Sequence, residues 1–303
     1  MNLLALPQVI ADVSRVIWTH PANRGRRLKT ACRFVAWQFN KRLIRSVWTI
    51  PAFEQFQMRL HPDSFGSIAM IYTSGCPDYE EMHFVQRYLQ SGDAVVDIGA
   101  NIGIYSLLFA SCVGRTGYVL AFEAGEQAYQ YFEENIQLNQ LQTLIDARFS
   151  AIGEADGTVE FIQSADVVNR LAVQSQDHQQ QVRSVPCVTL DTALENRQFA
   201  LGKIDIEGTE PLIFRQAART LQQANPPVWL IELKDRLLQK FGFSADEFAS
   251  FLRSHGFQLA TYDPTANELA FSEKPWIETG NVIAVHESCL DATRQRLDAS
   301  PSA

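Results

Sequence analysis

A short apolar run, a glycine-containing turn and a helical pattern follow one another between Ala94 and Ala110, and they constrain the fold more than any other feature. Ala94–Ile98 has the length of a buried strand, and Ile102–Ala110 has the periodicity of a helix. The same alternation continues with a strand, a helix and a strand over Tyr118–Glu123, Glu126–Asn139 and Leu144–Ile152. Strands and helices that alternate in this way are typical of βαβ units. The sequence therefore predicts an α/β fold with a parallel sheet.

The rest of the chain divides into a body and two flanking parts. We expect an N-terminal extension over 1–77, a main domain over 78–288 and a frayed polar tail over 289–303. In the extension, helices are predicted up to about residue 50 and short strands over 53–73, with a turn at 62–66. The elements predicted for the body are the helices Tyr79–Leu89, Pro211–Gln223 and Ser244–His255, the strands Thr158–Ile162, Val182–Leu190, Gly202–Glu207, Val228–Leu233, Phe257–Tyr262 and Asn281–His286, and a polar loop over Gln163–Gln181.

The first candidate ligand site is the turn Asp97–Gly103, with the sequence DIGANIG. Its glycines let a ligand approach the backbone closely, but their G-x-x-x-G spacing differs from that of dinucleotide-binding turns. Asp97 suits a ligand with an ammonium group and a sulfonium, and would repel a pyrophosphate. Glu123 ends the next strand, 20 residues beyond Gly103, where it can accept hydrogen bonds from both ribose hydroxyls. These residues indicate a site for an aminoacyl group joined to a nucleoside.

Five motifs occur in order between about Asp78 and His286: VVDIGANIGIYSLLFA, YVLAFEA, AIGEADGTVEF, VPCVTLDTAL and GKIDIEGTEPLIFRQA. They resemble the FkbM family of S-adenosylmethionine-dependent methyltransferases. The resemblance implies the class I methyltransferase (Rossmann-like) fold, a seven-stranded sheet with one antiparallel strand and helices on both faces. It implies S-adenosylmethionine as cofactor and methylation of a hydroxyl on a sugar or other small metabolite. The cofactor-binding residues expected are Asp97, Gly99, Ala100, Asn101, Gly103, Glu123 and Ala151. Where the family usually has F-E-P, this chain has Phe122-Glu123-Ala124, which changes the turn and keeps the acid.

A second group of acidic residues follows strands further along the chain. Asp205 and Glu207 are two residues apart at the end of the strand Gly202–Glu207, so they are expected to share one face of it. Glu232 lies at the end of the strand Val228–Leu233. Ligands of open α/β sheets bind beyond the carboxyl ends of strands, and a hydroxyl oxygen needs a base to accept its proton. We expect Asp205 to be the base or to orient the substrate, followed by Glu207 and then Glu232. The alternative is that one of these acids pairs with Lys203 or caps the next helix.

Composition limits the compartment and the partners. The net charge of −8 argues against a nucleic-acid partner. The five cysteines are odd in number and far apart, which fits neither a disulfide framework nor a zinc site, so we expect no metal. The N-terminus lacks the basic region of a signal peptide, and no apolar run reaches the roughly 18 residues of a membrane span. A cytoplasmic protein is therefore expected.

The charge is distributed unevenly along the chain. Eight basic residues and no acidic one lie between Arg24 and Arg45, while the remainder, with 18 basic and 34 acidic residues, carries −16. The aromatic and aliphatic residues Phe34, Trp37, Ile44 and Trp48 recur here at helical steps together with Lys41. A basic amphipathic helix predicts peripheral contact with an anionic membrane or a phosphate-bearing carrier. The alternative is that the cations pair with the acidic body and the aromatic residues pack into its core.

Three other functions remain open from the sequence. The chain could methylate protein or RNA, although its acidic body argues against RNA. It could also bind the cofactor without catalysis, but a module of that kind needs no acids at the methyl-transfer end. A nicotinamide-dependent dehydrogenase is the remaining alternative, and the turn lacks the spacing that such an enzyme needs.

Overall fold

The computed structural model of the chain describes residues 6–163, 170–171, 181–195 and 197–299. Its N-terminal part contains α1 (Leu6–Thr19), a 3-10 turn (Pro21–Asn23), α2 (Arg27–Phe39), a π-helical turn (Asn40–Ile44), β1 (Trp48–Ala52), β2 (Phe56–Leu60) and α3 (Phe65–Tyr72). The first half of the body contains α4 (Tyr79–Tyr88), β3 (Ala94–Ile98), α5 (Ile104–Val113), β4 (Tyr118–Glu123), α6 (Glu126–Leu138) and β5 (Ile145–Phe149).

A smaller group of strands follows and then the second half of the body. The small group contains β6 (Ala151–Ile152), β7 (Gly157–Gln163), β8 (Arg170–Leu171), β9 (Gln181–Val188) and α7 (Leu190–Leu194). The second half contains β10 (Leu201–Ile204), α8 (Glu210–Arg215), α9 (Ala218–Gln222), β11 (Val228–Glu232), α10 (Asp235–Leu238), a 3-10 turn (Gln239–Phe241), α11 (Ala245–Ser254), β12 (Phe257–Asp263), β13 (Glu268–Phe271), α12 (Trp276–Thr279), β14 (Asn281–His286), a 3-10 turn (Glu287–Cys289) and α13 (Leu290–Asp298).

The main sheet has the strand order of the class I methyltransferase fold. Its order is β13-β12-β14-β11-β10-β3-β4-β5. The five strands β5, β4, β3, β10 and β11 are parallel to one another. The next strand, β14, runs antiparallel to both β11 and β12. Without β13, the seven strands numbered along the chain read 3-2-1-4-5-7-6. The expected seven strands with one antiparallel strand are therefore present, and β13 adds an eighth at the edge beside β12.

Each face of this sheet is buried by its own set of helices. On one face, Val95, Val119 and Leu201 pack against side chains of α4, α5 and α6. On the other, Val96, Leu120 and Ile204 pack against side chains of α7, α8 and α11. Successive residues of a strand point to opposite faces, so apolar residues at every position are what a strand covered on both sides requires. The prediction of helices on both faces is confirmed.

The N-terminal extension differs from the prediction in two places. Residues 53–73 were expected to form strands, but α3 begins at Phe65 because Ser64 caps it, its side chain accepting a hydrogen bond from the Ser67 N–H at 3.4 Å. Trp48 was expected to share a helical face with Trp37, but it lies in β1. The helical segment ends at Arg45, which takes a left-handed conformation with φ +56°. The two tryptophan rings still pack edge to face, 5.2 Å apart.

Three predictions for the body also need correction. The helix expected over Pro211–Gln223 is two short helices, α8 and α9, with a break at Gln216 and Ala217. The strand expected to reach Glu207 ends at Ile204. The tail expected to fray forms α13, which is held by an ion pair of 2.6 Å between Arg296 and Asp93. The polar loop expected over Gln163–Gln181 lies mostly outside the described residues.

Candidate functional site

The turn after β3 is shaped by the end of β4 and by the turn after β10. The N–H groups of Gly99 and Ala100 both donate to the carbonyl oxygen of Phe122 at 2.9 Å. Gly99 has φ +82°, and a Cβ there would overlap the carbonyl oxygen of Asp205. Only glycine meets both conditions. The turn therefore brings the backbones after β3 and β10 into direct contact, and its amides lie at the carboxyl edge of the sheet.

Glu123 ties this turn to the one after β4. One oxygen, Oε2, accepts the Asn101 N–H at 2.8 Å, and Oε1 accepts the Gly125 N–H at 2.7 Å. Burial raises the pKa of Glu123 to about 7, although these backbone hydrogen bonds act in the opposite direction. Each oxygen keeps a second lone pair, because a carboxylate offers about four acceptor sites. Glu123 therefore has a structural role in addition to the ribose contact expected from the sequence.

Asp97 lies beneath the turn and is fully buried. Its Oδ2 accepts the Ser106 hydroxyl at 2.6 Å, and burial raises its pKa. The register of β3 and β10 places Lys203 beside it on the same face of the sheet. Among the described residues, none donates a hydrogen bond to Asp97 Oδ1. A buried acceptor without a donor is costly, which points to a polar partner outside the protein chain.

Lys203 is the central cation of the site. Its Nζ donates to Asp205 Oδ2 at 3.0 Å and lies 4.7 Å from the centroid of the Tyr105 ring. Burial alone would lower the pKa of this ammonium group, but the charges of Asp205 and Asp97 outweigh burial and raise it. Lys203 also counteracts burial at Asp205, whose pKa is lowered. Asp205 is therefore an ionised carboxylate held by an ion pair. This agrees with the alternative, given from the sequence, that one of these acids pairs with Lys203.

Glu232 lies beside Asp205 at the end of the next strand. Its Oε1 accepts from Lys234 Nζ at 2.6 Å, and no described residue donates to its buried Oε2. Burial raises the pKa of Glu232 to about 7, and the negative charge of Asp205 acts in the same direction. Asp205 is thus the ionised member of the pair, and both causes favour the protonated form of Glu232.

A pocket of about 390 Å³, partly open to solvent, lies above these groups. Its polar lining includes Asp78 and Glu81 from the start of α4, neither of which sequence reasoning identified. Asp78 accepts the Tyr105 hydroxyl at 3.0 Å. Burial raises the pKa of Glu81 to about 7. The remaining lining residues are Tyr105, Lys203, Ile204, Asp205, Leu230, Ile231, Glu232, Lys234 and Asn281. Within the described part of the chain, no three His, Cys, Asp or Glu residues cluster as a metal site would require.

Other predicted site residues lie apart from the pocket lining. Glu207 was expected to share a strand face with Asp205, but it follows the end of β10 in a left-handed conformation with φ +62°. Gly103 has φ +88°, and a Cβ there would overlap the ring of Phe132, so its role is packing against α6. Ala151 is buried in β6 and packs with Ala124 and Cys187.

The N-terminal extension contacts the glycine turn through α6. Asn135, fully buried, accepts the Arg59 N–H of β2 at 2.7 Å and donates to the carbonyl oxygen of Ile102 at 3.0 Å. One turn later, Asn139 accepts the Gln57 N–H at 2.8 Å and donates to the Gln57 carbonyl at 2.7 Å. The expected boundary at residue 77 therefore does not separate the extension from the candidate site.

Comparison with known families agrees with this geometry. A family model described as the methyltransferase FkbM domain matches residues 97–259, more than half of the chain. The chain belongs to the FkbM methyltransferase family. The match begins at Asp97 and includes Glu123, Lys203, Asp205 and Glu232. The prediction of a methyltransferase with a Rossmann-like fold is confirmed.

Individual relatives are similar over smaller parts of the chain. The ribosomal protein L11 methyltransferase of Thermotoga neapolitana is 35% identical over 81 residues, which is 27% of this chain and 30% of that protein. The chain thus matches less than a third of this relative's length. Among solved structures, the methyltransferase FkbM of Methylobacillus flagellatus KT has a TM-score of 0.42 at 12% identity, covering 72% of this chain and 52% of that one. A Bacillus cereus O-methyltransferase in complex with SAH has a TM-score of 0.39 at 14% identity, covering 69% and 81%.

Proposed function

We propose that this FkbM methyltransferase uses S-adenosylmethionine to methylate a hydroxyl oxygen of a sugar or other small metabolite. The observation that carries the proposal is the carboxyl pair Asp205–Glu232 at the ends of adjacent strands, where the backbone of Asp205 contacts the glycine turn. Hydroxyl oxygen is a poor nucleophile until a base accepts its proton. A carboxylate with a pKa of about 7 is suited to that task at neutral pH.

The residues around the glycine turn fit the cofactor. Glu123 accepts backbone N–H groups from both turns and has acceptor capacity left for ribose hydroxyls. Asp97, beneath the turn, has a further acceptor without a donor at Oδ1. When bound, S-adenosylmethionine supplies an electrophilic methyl group on a sulfonium, which is already a good leaving group. The protein therefore has to orient the acceptor and remove its proton.

Glu232 is the better candidate for the base, and Asp205 is the better candidate for its partner. Asp205 is a weak base because its ion pair with Lys203 favours the ionised form. Glu232 accepts the hydroxyl proton at its carboxylate, where Oε2 has no donor among the described residues. The negative charge of Asp205 favours the protonated form of Glu232 and so assists the transfer. This assignment reverses the order expected from the sequence. It also supports catalysis over cofactor binding alone, because binding does not need this pair.

Binding and transfer are tested separately. Calorimetry should detect S-adenosylmethionine and S-adenosylhomocysteine, and Glu123→Ala should weaken both by roughly tenfold or more, since hydrogen bonds to a charged group contribute about 1.5–3 kcal/mol each. The matched control is Glu133→Ala, an exposed acid of α6 whose side chain accepts the Tyr129 hydroxyl at 3.1 Å. Wild-type affinity equal to that of an unrelated protein would refute cofactor use.

Transfer is measured with methyl-labelled S-adenosylmethionine and a panel of alkyl glycosides, matched alkyl amines and small carboxylic acids. An ether product resists alkaline hydrolysis, whereas a methyl ester does not, and a methylated amine is retained by a cation exchanger. The proposal predicts label in the ether fraction that is lost in Glu232→Gln. Label confined to the amine or ester fraction would support methyltransferase activity and contradict the proposal that the acceptor is a hydroxyl.

A further inference from the structure

An exposed apolar stripe runs along α2 and into the π-helical turn that follows. It consists of Leu28, Val35, Phe39, Leu43 and Ile44, each of which exposes between 55% and 73% of its surface. Leu28, Val35 and Phe39 are seven and four residues apart, so they lie on one face of α2. Single exposed apolar side chains are ordinary in proteins, but five within one continuous helical segment indicate an interaction surface.

This stripe is separate from the part of α2 that stabilises the fold. Trp37, on the inner side, is fully buried and packs against Trp48. Thr30 is buried beside Asn23, and Arg33 donates to the carbonyl oxygen of Ile71 in α3 at 3.0 Å. Trp37 is thus in the core and Trp48 packs against it, which agrees in part with the alternative that the aromatic residues of this segment are buried. The stripe is a different set of residues, and it faces away from that core.

Cations flank the stripe at both ends. We use the term basic rim for the six exposed cations Arg24, Arg26, Arg27, Lys29, Arg42 and Arg45. Within the described part of the chain, none of the six forms an ion pair with an acidic side chain. These six cations therefore do not pair with the acidic side chains that the structure describes. Their charge is exposed to solvent in a protein whose residues outside 24–45 carry −16.

We propose that the apolar stripe and the basic rim dock the protein on an anionic membrane surface. Helices with apolar side chains on one face and Lys or Arg around them lie in the membrane interface. Each cation near an anionic surface strengthens binding by about fivefold, and the acidic remainder of the protein is repelled by it, which orients the docking face. A nucleic acid would use the cations through its phosphates and leave Leu28, Val35 and Leu43 in water. The described residues include no helix long and apolar enough to cross a bilayer, so the contact is peripheral.

The docking surface extends to the rim of the candidate site. Lys41 Nζ lies 6.0 Å from the centroid of the Phe65 ring, and Phe65 is itself exposed. The next residue, Gly66, packs so closely on the glycine turn that a Cβ there would lie 3.0 Å from Ile102 Cγ1. A membrane bound at the stripe therefore lies near the turn proposed to hold the cofactor. The docking proposal does not depend on the methyl acceptor, and its test measures no methyl transfer.

The test is flotation of the full chain with phosphatidylcholine vesicles that contain or lack phosphatidylglycerol. We expect binding to the anionic vesicles that falls steeply as salt is raised, and little binding to neutral ones. The double variant Leu28→Ser, Leu43→Ser removes apolar contact, and Arg27→Gln with Arg42→Gln should reduce binding by roughly 25-fold at about fivefold per cation. The matched controls are Ile277→Ser, an apolar residue that is 70% exposed on α12, and Arg115→Gln, an exposed arginine before β4.

A second measurement reports where contact occurs. Cys32 is exposed on α2 between Leu28 and Val35, whereas the other four cysteines are buried or partly buried. A polarity-sensitive fluorophore on Cys32 should shift to the blue with anionic vesicles, and Cys32→Ser carried through the same labelling gives the background. Three results would overturn the proposal: equal binding to neutral vesicles, unchanged binding in both double variants, or a fluorophore shift produced by protein concentration or by duplex DNA and not by vesicles.

Discussion

The Cα of Gly99 lies against the carbonyl oxygen of Asp205, so the turns after β3 and β10 touch through their backbones. The Asp205 N–H also donates to the carbonyl oxygen of Ile98 at 3.0 Å, which continues the pairing of the two strands by one residue. The turn expected to bind the cofactor and the carboxylate expected near the reacting methyl group therefore form one rigid unit. A displacement of either turn moves the other.

Substitution of Gly99 by alanine should damage this unit. A Cβ would overlap the Asp205 carbonyl, and φ +82° adds the strain of a left-handed alanine, so we expect Gly99→Ala to lower the free energy of unfolding by about 2–4 kcal/mol. Denaturant unfolding measures the change. Gly25→Ala is the matched control, because Gly25 has φ +76° with no atom within 4 Å of the added Cβ. It should lose only about 1 kcal/mol. Equal losses in the two variants would mean that the contact with Asp205 is unimportant.

Removal of the central cation should be costly. Lys203→Met leaves Asp97 and Asp205 without their shared positive partner, and unpaired buried charges cost about 3–5 kcal/mol. Asp205 exposes 39% of its side chain, so we expect the lower end of that range. Lys274→Met removes an exposed ion pair with Asp246 and should cost at most about 1 kcal/mol. In thermal unfolding, the double variant Lys203→Met, Asp205→Asn should be more stable than Lys203→Met alone. A double variant that is less stable than Lys203→Met would contradict the ion pair between these two side chains.

The pH dependence of turnover should identify the base. Glu232 has a pKa of about 7, so kcat/KM is expected to rise as pH increases through 7 and to level off once the carboxylate is ionised. Glu232→Gln should remove this rise and most of the activity. Asp205→Asn deletes a negative charge that raises the pKa of Glu232, so its inflection should move to lower pH. A rise that persists unchanged in Glu232→Gln would assign the base to another group.

Glu210 should make the protein less stable as pH rises from about 4.5 to about 8. Its Oε1 accepts the Ile206 N–H at 2.9 Å, and burial raises its pKa to about 8 from an ordinary value of 4.5. The stabilising effect of the protonated form is complete below pH 4.5 and is lost as pH rises to about 8. Relative to Glu210→Gln, which stays neutral, the wild type should lose up to about 1.4 kcal/mol per pH unit across this window. Denaturant unfolding at several pH values measures the difference, and parallel curves for the two proteins would show that Glu210 does not titrate there.

The sequence predicted best where structure depends on neighbours along the chain. The strand, turn and helix around Gly99 and the acid Glu123 were predictable, because period, glycine spacing and strand length are local signals. The helix predicted over Ser244–His255 is another example, and α11 begins there with a capping box of Ser244 and Glu247. The strand that ends at Ile204 was predicted to reach Glu207, because the left-handed conformation of Glu207 cannot be recognised from its residue type.

Features that depend on distant contacts were not predictable. Asp78 and Glu81 reach the pocket only because α4 packs against α5 and β12, and only their position before the glycine motif could have drawn attention to them. Buried Glu210 had no signal at all. Glu232 replaces Asp205 as the better candidate for the base because Lys203 pairs with Asp205 and not with Glu232. That pairing is set by side-chain packing in the folded protein. Burial and partners, which set pKa values, belong to the folded structure.

Asn135 in α6 and Asn139 at its C-terminal cap have a consequence for the placement of the N-terminal hairpin. Four residues of a helix rise about 6 Å, and two residues of a strand advance about 6.7 Å, so Asn135 and Asn139 match the spacing of Arg59 and Gln57 along the edge of β2. A slip of the hairpin by one residue would place opposite both amides residues whose N–H and carbonyl groups point toward β1 instead. The two asparagines thus select a single register of the hairpin against α6. Because Asn135 also donates to the carbonyl oxygen of Ile102, that register is coupled to the position of the glycine turn.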